Sequence, residues 1–209
     1  MDEETYKATL ASSRLRKDHL VFPVFVSSNQ ALIESMPGVA VTPLHRISEH
    51  VQSIVDNGIS SILIFGIPRT RDLVGSSAFD RNGIVQRAIR EIKSCFGDAI
   101  SVGTDVCICQ YNLTGHCGIV SNGSNIDNDS TLKILAKIAV SHVEAGADVV
   151  APSAMMDGQV YAIKNELHSR KLDASVLSFS AKHASSLYTP FRSAAFTKLV
   201  TQLDKSSYQ

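Results

Sequence analysis

The sequence predicts an α/β fold with parallel strands, because strand-like and helix-like segments alternate along most of the chain. Short apolar runs rich in β-branched residues, typical of buried strands, occur at 20–26, 60–67, 100–109, 147–151 and 175–180. Helical spacing of apolar residues separates these runs, and a glycine follows three of the helices. The pattern fits a barrel or a doubly wound sheet. No GxGxxG or P-loop follows the first strand, which disfavours a nucleotide-binding sheet.

The elements follow in a regular order after a charged segment, residues 1–19, which we interpret as an N-terminal arm. Residues 20–209 are then expected to form one domain. Pro23 in the first strand predicts a bulge or bend there. Helices are predicted at 48–57, 84–96 and 160–170, and another runs from a cap at Asp129 or Ser130 to about Glu144. Polar loops are predicted at 68–82 and 110–129.

Composition excludes several classes of protein. Lys plus Arg and Asp plus Glu both number 20, so no net charge favours nucleic acid or an anionic membrane. The first residues are charged and contain no long apolar run, so we expect no signal peptide, no membrane helix and a cytoplasmic location. Three of the four cysteines lie between 107 and 117, which indicates a metal-binding or catalytic cluster in a reducing compartment.

The segment 105–120 (DVCICQYNLTGHCGIV) carries the most chemistry. Because side chains alternate along a strand, Asp105, Cys107 and Cys109 are expected on one side, at the strand's C-terminal end. Cys117 returns from the following loop. Three thiolates bind Zn²⁺ and leave a fourth position for water or substrate. Three buried free cysteines are an equally weighted alternative, because this spacing is not a standard zinc pattern.

Two further reactive side chains follow predicted strands. Lys182 comes just after the fifth strand, where a lysine amine could attack a carbonyl if burial or a neighbouring cation such as Arg192 kept it neutral. Ser153 ends the fourth strand and could donate a hydrogen bond to a substrate. A solvated loop lysine and a turn or cap serine are the alternatives. His142 and three other histidines are expected at the surface or as satisfied interior residues.

Ten segments resemble, in chain order, the porphobilinogen synthase (5-aminolevulinate dehydratase) family of the zinc-dependent type. They are FPVFV, SMPGV, LIFGIP, GSSA, TDVCICQY, GHCG, NDSTL, AGADVVAPSAMMDG, FSAKHASSLYTPFR and the final YQ. GHCG, APSxMMDG and SAKxAS are the most specific of these. The resemblance covers nearly the whole chain after about Leu20, and on it the chain is identified as a member of that family.

The resemblance implies a TIM-type (β/α)8 barrel, with about five of the eight strands in this chain, and large homo-oligomers, commonly octamers. It implies a hydro-lyase of heme and tetrapyrrole biosynthesis that condenses two 5-aminolevulinate molecules into porphobilinogen through a lysine Schiff base and zinc. The site residues it implies are the zinc ligands Cys107, Cys109 and Cys117, the catalytic residues Asp105 and Lys182, and the substrate-binding residues Ser153, Arg192 and Lys205.

The chain departs from the family pattern at several positions. Ala154 replaces the aspartate of APSD, Gln159 replaces the arginine of MMDGR, and Lys205 stands where relatives have an arginine. No residue can be assigned to the second active-site lysine, which the family carries on its sixth strand. We therefore expect little synthase activity from this chain alone, and exposed edges on its first and fifth strands that favour aggregation or a partner.

Two alternative functions are left open by the sequence. One is an inactive, zinc-binding homologue that associates with full-length subunits, which the departures at Ala154 and Gln159 favour. The other is a Schiff-base lyase of the class I aldolase type. It shares the barrel and the lysine but leaves the three cysteines unexplained.

Overall fold

The computed structural model of the chain describes residues 4, 16–29, 31–33, 36, 38–121, 125–188, 190 and 203–209. Its strands are β1 (Phe22–Ser27), β2 (Ala31–Leu32), β3 (Ala40–Pro43), β4 (Ser61–Gly66), β5 (Ser101–Val106), β6 (Ile119–Ser121), β7 (Asn125–Asp127), β8 (Val149–Pro152) and β9 (Ser175–Val176). Its α-helices are α1 (Ile47–Asp56), α2 (Ile84–Phe96), α3 (Asn128–Glu144) and α4 (Gln159–Ser169). None of the helices in these ranges is both long and apolar enough to cross a membrane.

The main sheet has the strand order β2-β3-β1-β4-β5-β8-β9. Five of these strands pair in parallel, in the order β1, β4, β5, β8 and β9. An α-helix lies between each of the five and the next along the chain. A doubly wound sheet would reverse direction after its first helical crossovers, whereas the four helical crossovers between β1 and β9 all move the same way along the sheet. Parallel strands that are neighbours in chain order, with a helix between each and the next, are the arrangement of a (β/α) barrel.

The helices share one face of this sheet. Val24, Ile64 and Val102 belong to the same buried cluster as Val51 of α1 and Ile89 of α2. The corresponding face of β5 and β8 packs in the same way under α3 and α4. Each such side chain contributes roughly 1.5–3 kcal/mol when fully buried, so the layer between sheet and helices forms the main core.

The opposite face of the strands is only partly covered. In β4, buried residues alternate with half-buried ones, and Leu63 and Phe65 are among the half-buried set. Phe65 stacks on Phe25 of β1, with 5.2 Å between the ring centroids. In a barrel this face lines the interior, and its upper end, beyond the carboxyl ends of the strands, is where active sites assemble.

The predicted helices are confirmed to within two residues. Helix α2 has the predicted bounds, but the N-cap of α3 is Asp127, so the prediction of Asp129 or Ser130 is wrong. Asp127 Oδ1 accepts a hydrogen bond from the Ser130 N–H at 3.0 Å. The bend predicted at Pro23 is also wrong, because β1 keeps continuous register with β4. The edge of β1 next to β3 is paired only at 25–27, so the missing N–H is tolerated.

Three strand predictions need correction. The third strand ends at Val106, not at residue 109, because the N–H groups of Tyr111 and Asn112 both donate to the Ile108 carbonyl at 2.9 Å and turn the chain. The loop predicted at 110–129 contains the antiparallel β6–β7 hairpin. The fifth strand is short as β9, although the Phe179 N–H still donates to the Pro152 carbonyl at 3.2 Å.

Exposed edges were predicted on both the first and the fifth strand, and for β1 the prediction is wrong. Strand β3 pairs in parallel with residues 25–27 of β1, and β2 pairs antiparallel with β3. The sequence did not reveal β3, because it is only four residues long and ends in Pro43. No strand of the described ranges pairs with the outer edge of β9.

Candidate metal centre and active site

The three cysteines that the sequence singled out lie together. Cys107 and Cys109 lie in the turn that follows β5, and Cys117 lies in the next loop. Their sulfur atoms are all within 4.8 Å of one another, and 3.4 Å separates those of Cys107 and Cys109. Tetrahedral zinc with Zn–S bonds of about 2.3 Å requires sulfur atoms about 3.8 Å apart. All three thiols are buried and none forms a disulfide, so the arrangement fits a metal ion that prefers soft donors.

Asn112 closes the loop that returns Cys117 to the other two cysteines. Its Oδ1 accepts from the Gly115 N–H at 2.7 Å, and its Nδ2 donates to the His116 carbonyl at 2.8 Å. Gly115 has φ 74°, a left-handed conformation that favours glycine over residues with a Cβ. The amide of Asn112 and the glycine together reverse the chain just before Cys117.

The thiols differ in their tendency to ionise. Hydrogen bonds with Cys107 and Cys109, with the positive charges of Lys182 and Lys205, hold the pKa of Cys117 well below its ordinary value. The hydrogen bonds with Cys109 and Cys117, and burial, raise the pKa of Cys107. The Cys107 contact lowers the pKa of Cys109, but the Cys117 contact and burial outweigh it and raise that pKa to about 12. Of the three thiols, Cys117 is therefore the one whose surroundings most favour ionisation.

Asp105 lies at the end of β5, beside Ala151 of β8, and is only 6 % exposed. Ser153 Oγ donates to its Oδ1 at 2.5 Å, and Gln110 Nε2 donates to its Oδ2 at 3.0 Å. Burial raises the pKa of Asp105, while these two hydrogen bonds act in the opposite direction. A buried carboxyl with a raised pKa is suited to exchange a proton near neutral pH. The Ser153 hydroxyl, predicted to contact substrate, is used here to hold Asp105.

Lys182 follows β9 and is 9 % exposed. Its Nζ donates to the Ser153 carbonyl and lies 5.5 Å from the ring centroid of Tyr188. Burial lowers the pKa of Lys182, but the negative charges of the three cysteines and Asp105 outweigh burial and raise it. The amine is thus desolvated, which is one of the two conditions named for a neutral lysine, but the surrounding negative charges oppose the effect of burial on its pKa. Arg192, the predicted neighbouring cation and carboxylate binder, lies outside the described residues.

Residues 203–209 pack over Cys117. Lys205 Nζ lies 3.4 Å from Cys117 Sγ, and Gln209 Nε2 donates to the same sulfur at 3.0 Å. Burial lowers the pKa of Lys205, but the three cysteines outweigh burial and raise it. Lys205 thus lies at the candidate site, as predicted, and the side chain that its Nζ contacts there is the Cys117 thiol. Its role in binding substrate stays a prediction.

Three polar residues of the site were missed from the sequence: Gln110, Tyr208 and Gln209. Gln110 is 1 % exposed and connects Asp105 to Cys109, whose Sγ lies 3.5 Å from Gln110 Oε1. Tyr208 Oη lies 2.9 Å from His116 Nδ1 and accepts from the Cys117 N–H at 3.2 Å. A polar residue inside the otherwise apolar run 106–111 was the available signal for Gln110.

A continuous chain of hydrogen bonds joins the thiols to the lysine. It runs from Cys109 to Gln110, then to Asp105, then to Ser153, whose carbonyl accepts from Lys182. Lys182 also interacts electrostatically with each of the three cysteines. The structure thus brings the predicted metal ligands, carboxyl and amine into one buried cluster at the carboxyl end of the sheet, which is where barrel active sites assemble.

Comparison with known proteins gives one consistent family. The family model described as delta-aminolevulinic acid dehydratase matches residues 1–209. The delta-aminolevulinic acid dehydratase of Archaeoglobus fulgidus is 47% identical over 187 residues, which cover 88% of this chain and 58% of that protein. The enzyme of that name from Methanothermus sociabilis is 45% identical over 207 residues, covering 97% and 63%. The chain therefore spans about three fifths of the length of these relatives.

The fold has a solved counterpart. A crystal structure of delta-aminolevulinic acid dehydratase (porphobilinogen synthase) from Toxoplasma gondii ME49, in complex with the reaction product porphobilinogen, matches with a TM-score of 0.91 and 32% identity. The match covers 99% of this chain and 60% of that chain. It confirms the TIM-type barrel class, with part of the barrel's strands present here. By sequence and by fold, the chain belongs to the delta-aminolevulinic acid dehydratase (porphobilinogen synthase) family.

Proposed function

We propose that this chain carries the zinc and Schiff-base part of a porphobilinogen synthase site, which condenses two 5-aminolevulinate molecules with loss of two waters. The observation that supports this most strongly is the hydrogen-bond chain from Cys109 through Gln110, Asp105 and Ser153 to Lys182. It connects the three clustered thiols to the Lys182 amine within one group of buried side chains.

Cys107, Cys109 and Cys117 would hold the zinc ion. Their sulfur spacing fits a tetrahedral centre, and thiolates favour zinc over magnesium, calcium or manganese. Three protein ligands leave a position open for a substrate oxygen, where bound zinc would supply Lewis-acid polarisation. Cys109 as a thiol donates to Gln110 Oε1; as a zinc-bound thiolate it would give up this hydrogen bond, while Gln110 Nε2 would keep its hydrogen bond to Asp105.

Lys182 would form the Schiff base with one 5-aminolevulinate. Its nitrogen attacks the ketone carbon, a carbon–nitrogen bond forms, and water leaves as the imine forms. An amine attacks a carbonyl only when it is neutral, so a neighbouring base must first accept a proton from the Lys182 ammonium. Asp105 interacts with this ammonium, and its own pKa is raised by burial, so it is the group we assign to that transfer.

The carboxylate of a substrate requires a cation in the same pocket. Lys205 is 5 % exposed and lies on the Cys117 side, so it would pair with a carboxylate bound near the metal. A lysine offers a point charge where an arginine would offer a bidentate fork, so this contact would be less directional. The assignments of Arg192 as a second carboxylate binder, of an octameric assembly, of a cytoplasmic location and of residues 20–209 as one domain stay predictions.

Zinc analysis combined with borohydride trapping tests the proposal. The purified chain is expected to contain about one zinc per chain and to lose it in Cys117→Ser. With 5-aminolevulinate and borohydride, peptide mapping should find a reduced adduct on Lys182 that disappears in Lys182→Met and persists in Lys164→Met, a change at an exposed lysine.

The outcomes separate the candidate functions. Zinc without an adduct would favour the alternative of an inactive zinc-binding homologue that associates with full-length subunits. An adduct on Lys182 that forms equally well without bound metal would favour an aldolase-type lyase. Neither zinc nor adduct would contradict the proposal.

A further inference from the structure

A short segment of the loop after β4 braces the turn that carries Cys109. We call residues 71–76 the strap. Arg71 Nε donates to the Gln110 carbonyl at 2.7 Å, across 39 positions of sequence. The Leu113 N–H donates to the Asp72 carbonyl at 2.9 Å, and the Asp72 N–H points back to the Tyr111 carbonyl at 3.4 Å. Asp72 and Asn112 are thereby paired like residues of two parallel strands.

The carboxylate of Asp72 gives the strap its shape. Its Oδ1 accepts from the N–H groups of Val74 and Ser76, each at 3.0 Å, and its Oδ2 accepts from the Ser76 hydroxyl. The hydrogen bond with the Ser76 side chain is the main reason why the pKa of Asp72 is lowered. The carboxylate therefore fixes the same backbone whose N–H and carbonyl pair with the cysteine turn.

The strap also packs directly on that turn. Gly75 has φ 71°, and a Cβ at this position would lie 3.2 Å from Tyr111 Cβ and 3.4 Å from Ile108 Cβ. Tyr111 is 3 % exposed, so it has no room to move aside. Hydrogen bonds and close packing therefore act together on residues 108–113.

The braced turn contains the residue that links the metal ligands to the carboxyl. The backbone carbonyl of Gln110 is held by Arg71, while its side chain contacts Asp105 and Cys109. Arg71 thus restrains the backbone of the residue whose side chain contacts both Asp105 Oδ2 and Cys109 Sγ. Groups that orient metal ligands in this way commonly change metal affinity 10- to 100-fold when they are removed.

We infer that Arg71 and Asp72 are positioning residues of the metal centre: they act through the Gln110 peptide to keep Cys109 opposite Cys107 and Gln110 against Asp105. The inference rests on the proposed binding of a metal by the three cysteines. It assigns the strap to the geometry of the centre and not only to the stability of the loop.

Cobalt binding by the full chain is the test, because Co²⁺ bound to thiolates has characteristic absorption bands. Asp72→Ala should weaken Co²⁺ affinity roughly 10-fold or more and change the band shape. Asp80→Ala is the matched control. Asp80 Oδ1 makes a similar turn contact with the Asn82 N–H at 2.8 Å, at the other end of the same loop. That variant should bind Co²⁺ like the parent chain.

Stability is measured alongside, by urea unfolding of the metal-free chains. Loss of stability in Asp72→Ala with unchanged cobalt affinity and spectrum would overturn the inference and leave the metal site standing. Absence of a thiolate–cobalt spectrum in the parent chain would overturn the proposed metal site itself. If Asp72→Ala does not fold, Asp72→Asn carries the test. It keeps the Oδ1 acceptor, so a smaller loss of affinity is expected, and an affinity equal to that of the parent would contradict the inference.

Discussion

His142 makes the stability of this chain depend on pH in a way that the structure lets us calculate. The ring lies in α3 and is 1 % exposed, with Nδ1 2.9 Å from Thr104 Oγ1. Its Nε2 makes no hydrogen bond of good geometry with the described residues, so the expectation of a satisfied interior histidine is only half met. Burial lowers the pKa of His142 from 6.5 to about 3, with slight opposition from the Ala78 carbonyl.

The sign and size of the effect follow from proton linkage. Below pH 6.5 the unfolded chain takes up a proton on His142, and the folded chain does not until about pH 3. The contribution of this residue to the free energy of unfolding is therefore fully present above pH 6.5 and decreases as the pH falls. The loss is about 1.4 kcal/mol per pH unit, or roughly 2.7 kcal/mol between pH 7 and pH 4.5.

Urea unfolding followed by circular dichroism between pH 4.5 and 7 measures this loss. His142→Gln is expected to lower stability at pH 7 and to flatten the curve by roughly the calculated 2.7 kcal/mol, so its deficit relative to the parent should shrink as the pH falls. His45→Gln, a change at an exposed histidine, should keep the slope of the parent chain. Burial also lowers the pKa values of His50 and His116, so the difference between parent and variant is the quantity to compare. Parallel curves for the parent and His142→Gln would refute the reasoning.

Three further predictions concern the site and its supports. Ser153→Ala removes the hydroxyl that donates to Asp105, so the pKa of Asp105 should rise further. The carboxyl infrared band of Asp105 measures this change, and Ser153→Thr, which keeps a hydroxyl, should leave that pKa unchanged. Gly75→Ala combines a left-handed φ with contact against Tyr111 and should cost about 2 kcal/mol in urea unfolding. Gly158→Ala shares the left-handed conformation (φ 79°), but its Cβ would meet only Leu132 Cδ1 at an ordinary 3.8 Å, so it should cost only about 1 kcal/mol; equal losses would contradict the packing argument. Tyr208→Phe removes the acceptor of the Cys117 N–H, at a cost of about 1 kcal/mol, so hydrogen exchange at that amide should accelerate while exchange in α2 stays unchanged.

Local patterns explain which parts of the fold were predictable. Helix α2 has strong 3.6-residue periodicity and a glycine at its end, so both bounds follow from sequence. Strand β3 has only four residues, too few for an alternating pattern of apolar and polar residues to be recognised in the sequence. The end of β5 was misplaced because the apolar run continues through Ile108, while the turn there depends on backbone hydrogen bonds that sequence does not display.

The candidate site shows the same division. The shared location of Asp105, Cys107, Cys109, Ser153 and Lys182 was predictable because each lies at the end of a parallel strand or soon after it, and the carboxyl ends of such strands meet. The contacts of Gln110 and Tyr208 were not, because they join segments about 5 and 91 positions away that approach only in the folded chain. The raised pKa of Lys182 was not anticipated because burial and a neighbouring cation were considered, but not the negative charge of the thiols that surround the amine.

In the proposed function, the thiol cluster and the Lys182 amine bind the same small keto acid. The most direct test is to trap ¹³C-labelled 5-aminolevulinate on Lys182 with borohydride and then to load the cysteines with Co²⁺ or Zn²⁺. Paramagnetic Co²⁺ broadens nearby carbon resonances steeply with decreasing distance. The account predicts strong broadening of the trapped label with Co²⁺ and a sharp line with Zn²⁺. A label that stays sharp with bound Co²⁺ would place the amine and the metal in separate pockets and contradict the claim.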